Sequence, residues 1–215
     1  MNLNLTVDEV LTTTRSVRKR LDLDKPVSRE VLKDCLELAI QAPTGSNAQG
    51  WQWVFIDDPD TKSALADVYR ANAMPYLNLP KPDYGDGDVR NERMGLVSES
   101  ARYLAEHLHE VPVMLIPCLQ GRVENAQLGL GASFWASLLP AAWSFMLALR
   151  SRGLGSTWTT LHLVGDGERK AAEILGIPFE EYSQGGLFPI AYTKGTDFRP
   201  AKRLPVDQIT HWNHW

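Results

Sequence analysis

Six consecutive residues, Arg15-Ser16-Val17-Arg18-Lys19-Arg20, gather four cations and a hydroxyl. Guanidinium forks and a serine hydroxyl offer several charge-assisted donors to the oxygens of a phosphate. A second basic run, Arg199-Pro200-Ala201-Lys202-Arg203, lies near the C-terminus. Either run can equally be a solvated charged face, and spacing alone does not bring the two together. A third stretch, Ala42-Pro43-Thr44-Gly45-Ser46-Asn47-Ala48-Gln49-Gly50-Trp51, supplies small residues, amide side chains and open backbone groups. It suits the edge of a flat heterocycle, or it is an ordinary Asx-type connection.

Other chemistries lack their residues. There is no Gly-x-Gly-x-x-Gly, phosphate-loop lysine motif, Cys-x-x-Cys, His-Glu-x-x-His or Gly-x-Ser-x-Gly. The five histidines are His107, His109, His162, His211 and His214. His107 and His109, two apart on a helix, point in different directions and make a poor metal pair. All five read as surface or capped side chains, and no metal is expected. Such a chain is a binding module, or an enzyme whose chemistry belongs to a cofactor.

The 215 residues suit one domain with a full core, and 44% apolar with 22% charged residues is ordinary for a soluble protein. A net charge of −4 argues against a nucleic-acid binder. Cys35 and Cys118 sit in apolar runs and read as buried free thiols, which fits a reducing cytoplasm. Residues 1–9 lack a basic stretch followed by an apolar core, so no secretory signal is expected. Residues 127–149 carry no charge and are long enough to cross a bilayer. Gly129, Gly131, Ser133, Ser137, Pro140 and Ser144 keep that stretch only modestly hydrophobic, and a buried helix at a subunit interface is the reading taken.

These groups need elements to hold them. Periodicity predicts a short helix over 7–14, then one from the N-cap Ser28 to about Ala42, where Pro43 stops it. A buried strand is expected over 51–56 and a helix over 61–73. Residues 74–89 are loop-like, within a variable lid-like insertion over 72–97. A helix over 98–109, a central strand over 113–119 weakened by Pro117, and a long buried helix over 131–152 follow. A short strand over 156–161, a helix over 168–175 and a strand over 185–193 complete the pattern. The tail, 196–215, carries Val206, Ile209, Trp212 and Trp215, and is expected to pack on something, a second subunit included. Alternating strands and helices indicate an α+β fold of mixed α/β layers.

Taken together, the motifs resemble the nitroreductase family of FMN enzymes over most of the chain. Arg15-Ser16-Val17-Arg18 is similar to the family's opening Arg-Ser-x-Arg, and the 42–51 stretch resembles its Ala-Pro-Ser/Thr-x-x-Asn-x-Gln-Pro-Trp signature. The 101–108 stretch with Val111-Pro112-Val113, the 153–161 stretch, and Lys202-Arg203-Leu204-Pro205 follow in the family's order. The resemblance implies a nitroreductase-like fold, with a mostly antiparallel central sheet flanked by helices, in an intertwined homodimer. It implies FMN held by Arg15, Ser16, Val17 and Arg18, with Lys202 and Arg203 on the phosphate. Pro43, Thr44, Gly45, Ser46 and Asn47 would reach the flavin from the other subunit. Trp158, Thr159 and Thr160 would form a strand behind the ring, and Ser137 would lie on the interface helix lining the pocket. Tyr76, Tyr84 and Arg93 are candidate substrate contacts or exposed lid residues.

The activity implied is hydride transfer from NAD(P)H through flavin N5 to a nitroaromatic, quinone or activated alkene, by a ping-pong mechanism with no side-chain acid or base. Other flavin chemistry on the same fold (dehalogenation, dehydrogenation, flavin degradation) and a non-catalytic flavin-binding protein are the alternatives. Three positions depart from the family pattern: Thr14 in place of an arginine, Arg20 in place of an aromatic, and Gly50 in place of a proline.

Overall fold

The computed structural model describes residues 2–215. Its spine is β2 (Val113–Gln120), buried along its length up to Leu119. Strand β1 (Trp51–Ile56) runs antiparallel beside it, from Trp51 opposite Leu119 to Ile56 opposite Met114. On the other side two short strands share β2: β4 (Tyr182–Gln184) takes Cys118 to Gln120 and β5 (Phe188–Tyr192) takes Val113 to Leu115. Strand β3 (Leu154–Ser156) closes the far edge against β5, giving the order β1-β2-β5-β3 with β4 beside β2. All four strand pairings are antiparallel, as expected.

Proline is tolerated at the centre because of that division. The Pro117 carbonyl accepts from the Gly185 amide at 2.8 Å. Proline has no N–H to give back to Gly185, whose carbonyl takes the Trp158 indole N–H at 2.9 Å instead.

Alternation along β2 builds two cores. Val113 and Leu115 pack with Leu32, Cys35 and Ala39 of α2 (Arg29–Ala39) and with Ala142, Phe145 and Leu149 of α5 (Leu128–Ser151). Met114, Ile116 and Cys118 face the opposite layer. That layer is α3 (Pro59–Leu77), α4 (Asn91–His107) and α6 (Gly167–Leu175), through Leu65, Tyr69, Leu104 and Ala171. The first helix, α1 (Val7–Thr13), starts from a capping box between Thr6 and Glu9.

Several boundaries differ from the sequence reading. Helix α2 stops at Ala39, and the chain tightens into i→i+3 turns at Gln41 and Ala42 before Pro43 acts. Helix α3 runs to Leu77 with Pro75 in its last turn, and α4 begins at Asn91. The irregular part of the expected 72–97 insertion is therefore only 78–90. The strand expected over 156–161 ends at Ser156, and the one expected over 185–193 is β5 alone, after the unforeseen β4.

Helix α5 is long and apolar enough to cross a membrane, but Leu138, Ala141, Phe145 and Leu149 are buried in the protein core. Leu128, Leu130, Leu139 and Trp143 on the same helix stay exposed, as do Ile209, Trp212 and Trp215 of the tail. Both cysteines are free and buried; desolvation pushes Cys35 up to about 11 and Cys118 up to about 12, so neither is a nucleophile near neutrality.

Burial also pulls His162 down to about 4, against a weaker opposing effect of Gln184. The unfolded chain takes up this proton near pH 6.5 and the folded one only near pH 4, so stability is full above 6.5 and drains as pH falls between those values. The loss amounts to about 3 kcal/mol. Urea unfolding from pH 7.5 to 4.5 is expected to show it, and His162→Gln to flatten the slope. Equal slopes in the two proteins would refute the assignment.

Candidate functional site

The segment after α1 is sewn to the outer edge of the sheet. The Val17 amide donates to Ser156 O at 2.8 Å, Asp22 donates to Tyr192 O at 2.8 Å, and Lys194 donates to Arg20 O at 2.8 Å. Gly155 makes this approach possible. A Cβ there would lie 2.6 Å from Thr193 Cγ2 and 3.0 Å from Val17 Cβ.

Arginine side chains then fix the start of the tail against the same edge. Arg20 donates through Nε to Lys194 O at 2.9 Å and pairs with Asp197 at 2.5 Å, with its guanidinium over the Phe198 ring at 4.2 Å. Beneath it lies Arg150 of α5, 6% exposed. Its Nε donates to Thr13 Oγ1 at 3.0 Å and its Nη2 to Thr196 O at 3.0 Å. The end of α1 and the beginning of the tail are thus held by one buried cation. Arg150 Nη1 and Ser156 Oγ have no hydrogen-bond partner among the described residues and border a void of about 10 Å³, room for one water.

Above this base opens a cleft of about 610 Å³. Arg15, Ser16 and Arg18 line one side, Arg203 comes from the tail, and Arg93 comes from α4. Trp158, Trp143, Met146 and Phe198 supply apolar and aromatic walls. The cleft's one acid, Glu99, is paired with Lys19, and Arg20 with Asp197. Arg15, Arg18, Arg93 and Arg203 have no carboxylate partner among the described residues. Burial lowers the Arg15 guanidinium below its ordinary pKa, and the positive charges of Arg203 and Arg93 lower it further. Burial likewise lowers Arg18, whose Nη1 approaches Ser100 Oγ at 3.4 Å. Convergent cations of this kind form a site suited to an anion.

The expected residues divide into three groups. Arg15, Ser16, Val17, Arg18, Arg93, Trp158 and Arg203 meet at the cleft. Thr159, Thr160 and Lys202 do not line it; Thr159 Oγ1 meets the buried Tyr69 hydroxyl at 3.3 Å, and Lys202 pairs with Glu92 at 2.6 Å. Trp158 to Thr160 form no regular strand: only Thr159 bridges to Leu187, and the Trp158 indole Nε1 donates to Gly185 O at 2.9 Å. Pro43, Thr44, Gly45, Ser46 and Asn47 form a separate exposed loop, tied to α5 where Gly45 N donates to Ser137 Oγ at 2.9 Å. Tyr76 and Tyr84 also lie outside the cleft; Tyr84 instead stacks under Arg90 at 3.9 Å.

Of the departures, Thr14 lines the cleft as a neutral hydroxyl and Arg20 clamps the tail. Gly50 is tied to the end of β2, where Gln120 N donates to its carbonyl at 3.0 Å.

A model described as the nitroreductase family matches residues 11–192. The chain belongs to the nitroreductase family. An NADH dehydrogenase of Thermus thermophilus is 26% identical over 212 residues, spanning 92% of this chain and 91% of that protein. Rat iodotyrosine deiodinase 1 is 26% identical over 210 residues, spanning 94% of this chain and 67% of that protein. Among solved structures, an iodotyrosine deiodinase bound to FMN and 3-iodo-L-tyrosine superposes with a TM-score of 0.72 at 21% identity, covering 98% of this chain and 100% of that one. The FMN- and NADPH-dependent nitroreductase NfnB of a sphigopyxis strain gives 0.70 at 20% identity, over 98% and 100%. These likenesses give the family its expected nitroreductase-like fold here.

Sequence reasoning missed Arg150, Phe198, Trp143, Met146 and the α4 wall of Leu96, Val97 and Ser100. Arg150 carried a signal, as the first charge after a long uncharged run, but it reads as an ordinary cation at a helix C-terminus. Arg150→Met is expected to cost about 3 kcal/mol, since two charged hydrogen bonds go and Thr13 and Thr196 lose their donor. Gly155→Ala should cost about 1–3 kcal/mol through the clash with Thr193 and Val17. Urea denaturation measures both, and wild-type midpoints would dismiss the bridge and the close approach respectively.

Proposed function

We propose that the protein is an FMN-dependent oxidoreductase that carries hydride from NAD(P)H to a small organic acceptor, working as a homodimer. The observation behind this is the set of four guanidinium groups without carboxylates, gathered in one cleft beside a Trp158 wall. The volume and the donor set fit a flat ring carrying a phosphate. FMN, when bound, supplies the hydride chemistry that no side chain here can perform.

The residues divide that work. Arg15, Ser16 and Arg203 offer donors to a phosphate, while Lys202, paired with Glu92, fastens the tail to α4. Arg18 is mostly buried and held between Ser100 and the Tyr69 side, so its charge is fixed in place and favours negative charge at the polar edge of the ring. Trp158, Trp143 and Met146 exclude water from the apolar side. Protons can come from solvent.

The dimer accounts for apolar surface that one protomer leaves in water. Leu128 and Leu130 of α5 and the tail's Val206, Ile209, Trp212 and Trp215 are all well exposed. Burying them on a second copy would bring the 43–47 loop and Ser137 toward the partner's cleft. A cytoplasmic protein that binds neither membrane nor nucleic acid is consistent with the acidic surface and with α5 serving as a core helix.

Reductive dehalogenation is the second reading, favoured by the likeness to iodotyrosine deiodinases in both sequence and fold. Anaerobic stopped-flow mixing with NADH and NADPH, followed by a nitroaromatic, a quinone and a halogenated phenol, separates the readings. Bleaching of the flavin band by a reduced nicotinamide and recovery with one acceptor class is expected, with a dimer by sedimentation. A chain that takes up no FMN would overturn the proposal. A yellow protein that neither nicotinamide bleaches would leave flavin binding without this turnover.

A further inference from the structure

Helix α4 contributes to the cleft along one stripe. Arg93, Leu96, Val97 and Ser100 all line it, at the i, i+3, i+4 and i+7 spacing of a single helical face. The carboxylates of the same stretch are already engaged. Glu92 pairs with Lys202 at 2.6 Å and Glu99 with Lys19, so α4 is fastened to both basic clusters.

Arg93 has no such partner among the described residues, and three features make its position costly. Its charge acts on Arg15 together with that of Arg203, lowering the Arg15 pKa after burial has already done so. It sits in the first turn of α4, where the helix dipole disfavours a cation. Its neighbours on the stripe, Leu96 and Val97, are apolar and offer it no acceptor. A lid residue serving only solubility would not need to face two other guanidinium groups.

We infer that Arg93 is a third arginine of the anion site formed by Arg15 and Arg203, so that α4 closes over the phosphate of FMN. This rests on the cofactor reading above. It also assigns to the cofactor side an arginine that the sequence offered as a substrate contact or an exposed lid residue. One anion then relieves three mutually repelling cations at once, through charge-assisted hydrogen bonds that a flexible lysine would supply less rigidly. Loading the cofactor fixes α4, and with it the Leu96 and Val97 wall against which an acceptor would rest.

Riboflavin, which has the ring and lacks the phosphate, isolates the effect. Flavin-free protein, its Arg93→Gln and its Arg93→Lys variants are each titrated with FMN and with riboflavin, following quenching of flavin fluorescence. Arg93→Gln is expected to weaken FMN on the order of tenfold to a hundredfold while riboflavin binds unchanged, with Arg93→Lys in between. The salt dependence of FMN binding should fall in Arg93→Gln as well. Equal weakening of FMN and riboflavin, or no change in either with a raised acceptor KM, would overturn the inference; the second result returns Arg93 to the acceptor. Wild-type protein that binds neither flavin would sink the cofactor reading itself, whatever the variants do. Unchanged thermal midpoints in the flavin-free variants establish that the comparison is between folded proteins.

Discussion

One buried cation organises the site. Arg150 reaches from α5 to the Thr13 hydroxyl and the Thr196 carbonyl, which lie near opposite ends of the chain. Just beyond each contact come the arginines of the cleft: Arg15 and Arg18 after Thr13, Arg203 after Thr196. That bridge adds a buried side-chain link to the backbone contacts, Val17 with Ser156 and Lys194 with Arg20, that already hold the two segments at one sheet edge. The aromatic ring of Phe198, which carries Arg20 at 4.2 Å and Arg150 at 5.0 Å on its surroundings, completes the joint. Arg150 is itself lowered by burial first and by Arg20 second. The fold therefore spends hydrogen bonds and a π-face on keeping two positive charges close together without an acid between them.

The same economy of acids runs through the cleft. Around the cleft, three cations that fasten one segment to another have a carboxylate: Arg20 has Asp197, Lys19 has Glu99 and Lys202 has Glu92. Arg15, Arg18, Arg93 and Arg203 have none among the described residues. Surface pairs of this kind contribute little to stability individually, so their value here is positional. They neutralise the cations that do not face a ligand and leave a focused positive field where Arg15, Arg18, Arg93 and Arg203 converge, on a chain whose net charge is −4.

What the sequence could reveal followed how local the cause was. The limits of β1 and the end of α6 were legible because their causes are local: the Asp57-Asp58-Pro59 stop follows the one, and Gly176, at φ 67°, follows the other. Pro75 misled, since a proline in a last helical turn gives up only one hydrogen bond and α3 continues through it. Strand β4 has three residues and owes its existence to β2, which no window on its own residues contains. In the site, the two basic runs were visible as composition, but their meeting was implied only by family resemblance. Arg93 was visible as a charge in a variable stretch; the side it faces depends on α4 beginning seven residues earlier than periodicity suggested.

Helix α5 joins the cleft to the loop that the family resemblance assigns to the other subunit. Ser137 accepts the Gly45 amide, its carbonyl takes the Trp51 indole N–H at 2.6 Å, and Trp143 further along lines the cleft. At ~1.5 Å per residue the two positions are about 9 Å apart along the axis. The loop itself is strained: Ser46, Asn47 and Gln49 adopt φ of 53°, 54° and 50°. Each left-handed non-glycine residue costs on the order of 1 kcal/mol, and an exposed loop recovers little of that by packing within its own protomer. In the proposed dimer the recovery would come from burying the loop, together with the outward leucines of α5, against the second copy. A rigid helix would then transmit any loosening of that interface to Trp143 and Met146 at the cleft. Subunit dissociation and loss of flavin become one event by this logic, because the element that bears the interface is also a wall of the site.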